Sequence, residues 1–182
     1  MKYINRWGLM RNTINENIAE HSLDVSIIAH ALAVIKNEFF DGSLNPEHVA
    51  VLAVFHDASE IITGDLPTPI KYYAPDIKNA YKDIEKKAAK QLIGELPQQM
   101  RPEYEKIMLE DEFDEYDKKI VKAADKLSAL IKCIEEEQMG NTDFSKAKKS
   151  LLEFLVNMNM PEVDYYMENF LPAYSLTLDE QT

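Results

Sequence analysis

The segment Val54-Phe55-His56-Asp57-Ala58-Ser59-Glu60 ends an apolar run on an adjacent imidazole and carboxylate, with a second carboxylate close behind. Imidazole nitrogen and carboxylate oxygen both suit intermediate divalent metals. Neighbouring residues of a helix point about 100° apart, yet side chains that bend toward the space between them can share one ion. Glu60 follows His56 by four residues and Asp57 by three, which places it on the same helical face one turn on. A carboxylate there can exchange a proton with a metal-bound water or a leaving group. Alone, the His-Asp pair also fits an ordinary solvated helix, so the rest of the chain has to decide.

Working outward, the punctuation is that of helices. Asn45 and Pro46 form an N-cap and first helical position, and that helix is expected to run through the His-Asp pair to about Ile62, stopping at Gly64. Upstream, a helix is expected from about Asn17 to Phe39, with Leu23, Ile27, Ile28, Ala31, Val34 and Ile35 on its apolar face. Downstream, Gly64-Asp65-Leu66-Pro67-Thr68-Pro69 is denied both helix and central strand and reads as an ordered loop. Helices follow at about Asp76–Ile93, at Tyr116–Met139 with Ile120, Val121, Ala124, Leu127, Leu130, Ile131 and Ile134 on one side, and at Phe144–Asn157, with short ones after Pro102 and from Pro161. No segment alternates convincingly for a strand, and there is no repeat or linker. The expectation is an all-α bundle formed by one domain over residues 1–182.

Two further residues raise the chemical content of the His-Asp pair. His21 opens the apolar face of the first long helix, within Ala19-Glu20-His21-Ser22-Leu23. Asp125 shares a helix side with Val121, Ala124, Ser128 and Ile131, where an ionised carboxylate is costly unless it is paired or coordinated. Either a nearby lysine or a metal would answer that need. His30, inside an apolar helix, reads as a packed core residue, and His48, in a first helical turn, as exposed. The acidic run Glu110 to Asp117 reads as a solvated junction.

Composition excludes several classes. With 20 basic and 32 acidic residues the formal net charge is −12, which disfavours a nucleic-acid polymer as partner. A small anion stays compatible, because a bound cation inverts the local field. One cysteine, Cys133, precludes an intrachain disulfide and fits a reducing compartment. The N-terminal residues lack a signal-peptide core, and the most apolar run, Val25 to Ile35, is short for a bilayer span. A soluble, cytoplasmic protein with no membrane partner is expected.

The order His21, His56-Asp57, Asp125 resembles the H…HD…D pattern of the HD superfamily of metal-dependent phosphohydrolases. Flanking motifs narrow the resemblance. Ile4-Asn5-Arg6-Trp7, Glu20-His21-Ser22, His56-Asp57-Ala58-Ser59-Glu60 and Thr63-Gly64-Asp65-Leu66-Pro67-Thr68-Pro69 look like the YfbR-type 5′-deoxynucleotidases. So do Asp164-Tyr165-Tyr166-Met167-Glu168 and Leu176-Thr177-Leu178-Asp179-Glu180. The resemblance implies an HD-domain helical bundle that removes phosphate from deoxyribonucleoside 5′-monophosphates, with one divalent cation such as cobalt or manganese, as a cytoplasmic homodimer. It implies His21, His56, Asp57 and Asp125 as metal ligands, with His21 and Asp57 also reaching substrate. Arg6 would orient the phosphate and Trp7 would close on the deoxyribose. Asp65 would bond the sugar 3′-hydroxyl, Leu66, Pro67 and Thr68 would complete the pocket wall, and Glu60 would be the catalytic carboxylate. Members of that group begin further upstream of the Arg-Trp pair, so Arg6 is expected near a terminus that frays.

Two other readings remain open on sequence. One is another HD phosphohydrolase, acting on nucleoside triphosphates, cyclic nucleotides or alarmones. The other is a non-catalytic helical regulatory module that keeps its metal for structure.

Overall fold

A computed structural model describes residues 1–67, 70 and 74–180. Thr68 therefore lies outside the described residues. The described helices are α1 (Ile18–Phe39), α2 (Pro46–Phe55), α3 (Glu60–Thr63), α4 (Pro75–Gly94), α5 (Arg101–Met108), α6 (Glu115–Gln138), α7 (Ser145–Asn157) and α8 (Pro161–Asn169). Short 3₁₀ turns join or follow them. Among the described residues no strand occurs; one isolated antiparallel bridge joins Asn5 and Asn17.

Local chemistry sets the helix starts. The Asn17 side chain accepts from the amides of Ala19 and Glu20, while the Glu20 carboxylate accepts from the Asn17 amide, a reciprocal capping box. Asn45 caps α2 in the same manner through the His48 amide, with Pro46 in the first position. Gly64 and Gly140 follow α3 and α6 with φ of 71° and 83°, where a side chain would be strained.

α1 is the central pillar and packs against α2, α6 and α8. α6 lies across it, burying Ile120, Val121, Ala124, Leu127, Leu130, Ile131 and Ile134, the stripe expected from the sequence. Removing one of these large side chains, as in Leu127→Ala, costs roughly 2–5 kcal/mol through lost transfer energy and the cavity left behind.

The structure corrects three expectations about the helices. On α1, Ile28 and Ile35 are buried as expected, but Leu23 and Ile27 are 59% and 61% exposed and Val34 is also exposed. The buried side instead carries Ile18, His21, Ser22, Val25, Ser26, Ile28, Ala29 and Leu32. This helix is apolar on most sides, so periodicity alone could not choose the inward face. His30 is correspondingly exposed rather than packed in the core. Finally, the helix expected to run from Asn45 to Ile62 breaks after Phe55. The amides of Ala58, Glu60, Ile61 and Ile62 reach back only three residues, so the chain tightens into a turn across His56–Ser59.

The N-terminal segment is docked, not frayed. The Arg6 amide donates to the Glu16 carbonyl and the Ile18 amide to the Ile4 carbonyl, closing the segment on itself. A clasp on α6 then holds it down. The fully buried Glu136 carboxylate accepts from the amides of Thr13 and Ile14, from Asn141 Nδ2 and from Lys132 Nζ. Lys132 in turn donates to the Ile14 carbonyl. Outside this clasp, Arg11 makes a two-point bond to Asp143.

Burial pushes the Glu136 carboxyl up, but the bonds from Lys132, Thr13 and Asn141 outweigh it and bring its pKa from an ordinary 4.5 to about 2. A folded-state pKa below the unfolded value gives stabilisation that is complete above about 4.5 and is lost as pH falls through about 2. Glu136→Gln should therefore flatten the acid limb of a stability-against-pH curve measured by circular dichroism. Glu136→Ala, which strands a buried Lys132, should cost about 3–5 kcal/mol at neutral pH in a denaturant titration.

Candidate active site

Where α2 ends, α1 begins and α6 passes, two imidazoles and two carboxylates converge. The tightened turn after Phe55 sets the orientation of His56. Its Nδ1 lies 2.6 Å from the Ala53 carbonyl, which can only accept, so that nitrogen carries the proton. Nε2 points at Asp57 Oδ2, 3.1 Å away. His21, fully buried, is arranged alike. Its Nδ1 faces Ser128 Oγ at 3.2 Å and Glu16 Oε1 at 3.7 Å. Its Nε2 lies 3.6 Å from Asp57 Oδ2 and 3.4 Å from Asp125 Oδ1. The two rings sit 5.3 Å apart between centroids.

Both Nε2 atoms are buried and have no hydrogen-bond partner among the described residues. A buried polar atom left this way costs about 1–3 kcal/mol. Donor atoms of His21, His56 and Asp57 lie within 4.8 Å of one another, as an ion between them requires. Asp125 stands at the edge of this group, offering Oδ1 while its Oδ2 lies 3.1 Å from both Lys122 and Lys126. The two imidazoles and the Asp57 carboxylate therefore fit a divalent cation, with Asp125 outside their group of three. The outward nitrogens of both histidines are fixed by hydrogen-bonding partners, which sets which nitrogen faces inward.

The electrostatics keep the two carboxylates and Arg6 in their charged forms. Burial pushes Asp57 up, but His56 and His21 more than compensate, and its carboxyl is held well below the ordinary carboxylate range. Asp125 is lowered likewise, with burial offset by Lys126, Lys122 and His21. Burial works against the charge of Arg6, yet Asp125, Glu16, Asp57 and Asp65 together raise its pKa. The guanidinium is thus permanently cationic. Its NH1 lies 3.5 Å from Asp57 Oδ2, so an anion-binding group stands against a metal cradle.

The remaining expected residues take varied positions. Trp7 is half-buried, its ring 5.2 Å from that of Phe144, and it adopts a left-handed backbone with φ of 58°. Glu60 is 4% exposed and begins α3 directly after the turn, not late in a long helix as expected. Asp65, Leu66 and Pro67 are half-buried in the loop after Gly64. Tyr81 of α4 anchors that loop by donating to the Gly64 carbonyl. Asp65 is near enough to bias the Arg6 charge. Sequence reasoning missed Glu16 as a site residue. It lies just outside the capped helix, where no periodicity marks it. Ser128, placed by the sequence only on the helix side of Asp125, meets His21 through its hydroxyl.

This fold is that of the HD-domain phosphohydrolases. It superposes on an HD-domain phosphohydrolase from Listeria innocua with a TM-score of 0.84 at 24% identity, over 98% of this chain and 86% of that one. A second neighbour, the cyanophage S-2L HD phosphohydrolase bound to dA and one catalytic Zn2+ ion, gives a TM-score of 0.67 at 20% identity, over 94% of this chain and 92% of that one. The chain belongs to the YfbR-like family, whose description, 5′-deoxynucleotidase YfbR-like, matches residues 1–174. A 5′-deoxynucleotidase from Vibrio atlanticus is 48% identical over 99% of this chain and 93% of its own length. One from Yersinia pestis (strain Pestoides F) is 51% identical over 99% of this chain and 91% of its own.

A ligand that binds only the folded state stabilises it by about 2.7 kcal/mol at a hundredfold excess over its Kd. Cobalt, manganese or zinc should therefore raise the melting temperature of the metal-stripped protein by roughly 5–10 °C, reversibly with chelator. His56→Ala and Asp57→Ala should abolish the shift. A metal-independent melting curve for the wild type would refute the cradle.

Proposed function

We propose that this protein is a metal-dependent 5′-deoxynucleotidase that hydrolyses deoxyribonucleoside 5′-monophosphates to deoxyribonucleosides and phosphate. The carrying observation is the placement of Arg6 NH1 beside Asp57 Oδ2, with the two inward Nε2 atoms converging on the same spot. His21, His56, Asp57 and Asp125 would hold one divalent cation, with cobalt or manganese preferred. When bound, it supplies Lewis acidity toward a phosphate oxygen and lowers the pKa of a water.

The chain's own residues do the rest. Arg6 meets the phosphate with a planar fork that lysine would not reproduce. His21 and Asp57 border the same phosphate. Glu60, buried beside the turn, exchanges a proton with the attacking water or the departing 5′-oxygen. Asp65 bonds the sugar 3′-hydroxyl, and Leu66 and Pro67 wall the pocket. Trp7 packs where a ribose 2′-hydroxyl would sit, so a ribonucleotide would bury that hydroxyl without a partner. These roles draw support from the family and from the geometry around Arg6.

The same reading places the enzyme in the cytoplasm as a single-domain homodimer. Supporting it are the single cysteine and the apolar side chains of Leu23, Ile27 and Val34 exposed on α1. α1 is long and apolar enough to cross a membrane by length and composition, but more than half of its apolar 18-residue window is buried in the fold. Light scattering behind a sizing column should give a mass of two chains.

A matrix of metals against nucleotides tests the activity. Orthophosphate release should be fastest from deoxyribonucleoside monophosphates, and Arg6→Ala should lower kcat/KM by about a hundredfold. Equal rates on paired ribo- and deoxyribonucleotides would sink the sugar selectivity. Release of pyrophosphate or triphosphate from a triphosphate substrate would point to another phosphohydrolase.

A further inference from the structure

Glu16 is assigned no role in the reaction proposed above, yet its surroundings are those of a component of the site. It precedes the Asn17 cap and takes no part in the capping box. Its side chain is only 12% exposed. Among the described residues, its carboxylate meets three site groups. Oε2 accepts from Trp7 Nε1 at 3.0 Å and from Arg6 Nε at 3.3 Å. Oε1 lies 3.7 Å from His21 Nδ1. The Glu16 backbone carbonyl also accepts from the Arg6 amide at 2.9 Å.

We propose that Glu16 is a positioning residue whose one carboxylate locks Arg6 and Trp7 into a single unit and registers that unit against His21. Three physical points support it. First, a guanidinium tethered through Nε holds its far edge in one direction, with NH1 beside Asp57 Oδ2 and NH2 next to it, where a phosphate at the cradle can meet them. Without the tether a long arginine side chain samples many rotamers, and ordering it on substrate binding costs free energy. Second, the left-handed backbone at Trp7 costs roughly 1–2 kcal/mol and persists only when its surroundings over-determine it. Its carbonyl accepts from the Met10 amide and from Asn12 Nδ2, its ring meets Phe144, and its indole N–H is held by Glu16. Third, one oxygen bonds both the phosphate-facing and the sugar-facing residue. Moving either one moves the other, which couples phosphate grip to sugar discrimination.

The proposal deepens the deoxynucleotidase reading and rests on it for the kinetic part of its test. Trp7 is the only tryptophan, so its fluorescence reports this one indole. In Glu16→Ala, the emission should move to longer wavelength and acrylamide should quench it more readily. The kcat/KM for deoxyribonucleoside monophosphates should fall by about 10–100-fold, and the deoxy-to-ribo preference should shrink by about tenfold. Glu16→Gln keeps an acceptor for the indole but not the charge for the guanidinium. Its emission should stay near that of wild type while kcat/KM falls about tenfold. Adding Glu16→Ala to Arg6→Ala should cost much less than the product of the two single losses.

Unchanged emission with an unchanged sugar preference in both variants would overturn the proposal. So would an activity loss that tracks a collapse in melting temperature and leaves the sugar preference intact. Should Glu16→Ala fail to fold, the Glu16→Gln pattern decides alone. If wild type released no phosphate from any monophosphate, the deoxynucleotidase reading would fail. The emission and quenching arm would then still decide whether Glu16 holds Trp7.

Discussion

Charge buried at the junction of α1, α2 and α6 is the constraint on which this molecule depends. Glu16, Asp57 and Asp125 bring three carboxylates to one small region, each with a side chain less than one-fifth exposed. Isolated there, each would revert to its neutral form or expel itself toward water. They stay ionised because Arg6, Lys122, Lys126 and two imidazoles face them. That balance explains why the N-terminal segment folds back over the bundle. It delivers a guanidinium that the helices themselves do not supply. A divalent cation adds to the same balance, since the surrounding negative charge favours its entry as much as the ligand geometry does.

The break after Phe55 is the second determinant. A continued helix would have kept His56 and Asp57 about 100° apart on one rod. The three-residue turns across His56–Ser59 tighten the chain and let His56 return a bond to the Ala53 carbonyl. This bond fixes the tautomer that turns Nε2 inward. It also carries Glu60 into a buried position at the start of a new short helix. Geometry that looks like an imperfect helix end is what aims His56 and Asp57 toward His21.

Much of this was legible in the residues themselves. Caps at Asn17 and Asn45, the stripe along α6 and the H…HD…D order rest on local rules that hold whatever the tertiary context. The inward face of α1 was not legible, because Leu23, Ile27 and Val34 are as apolar as the residues that are buried. The turn at His56 was hidden for a related reason: no glycine or proline marks it. Glu16 and Glu136 escaped because each acts through partners far away in sequence or in an irregular segment. Motifs carried the chemistry, and long-range hydrogen bonds carried its alignment.

The clasp at Glu136 has a consequence for how the protein is made. Its partners Thr13 and Ile14 lie 123 and 122 residues earlier in the chain. At a synthesis rate of roughly 5–20 residues per second, the segment bearing Arg6 leaves the ribosome about 6–25 s before its anchor exists. During that interval the segment must wait, and closing so wide a loop is among the slower steps available to a helical chain. The helices can pair as they emerge, so the scaffold precedes the arginine. The clasp on the segment bearing Arg6 thus closes only once α6 has been made, and a chain truncated ahead of Glu136 would lack that anchor.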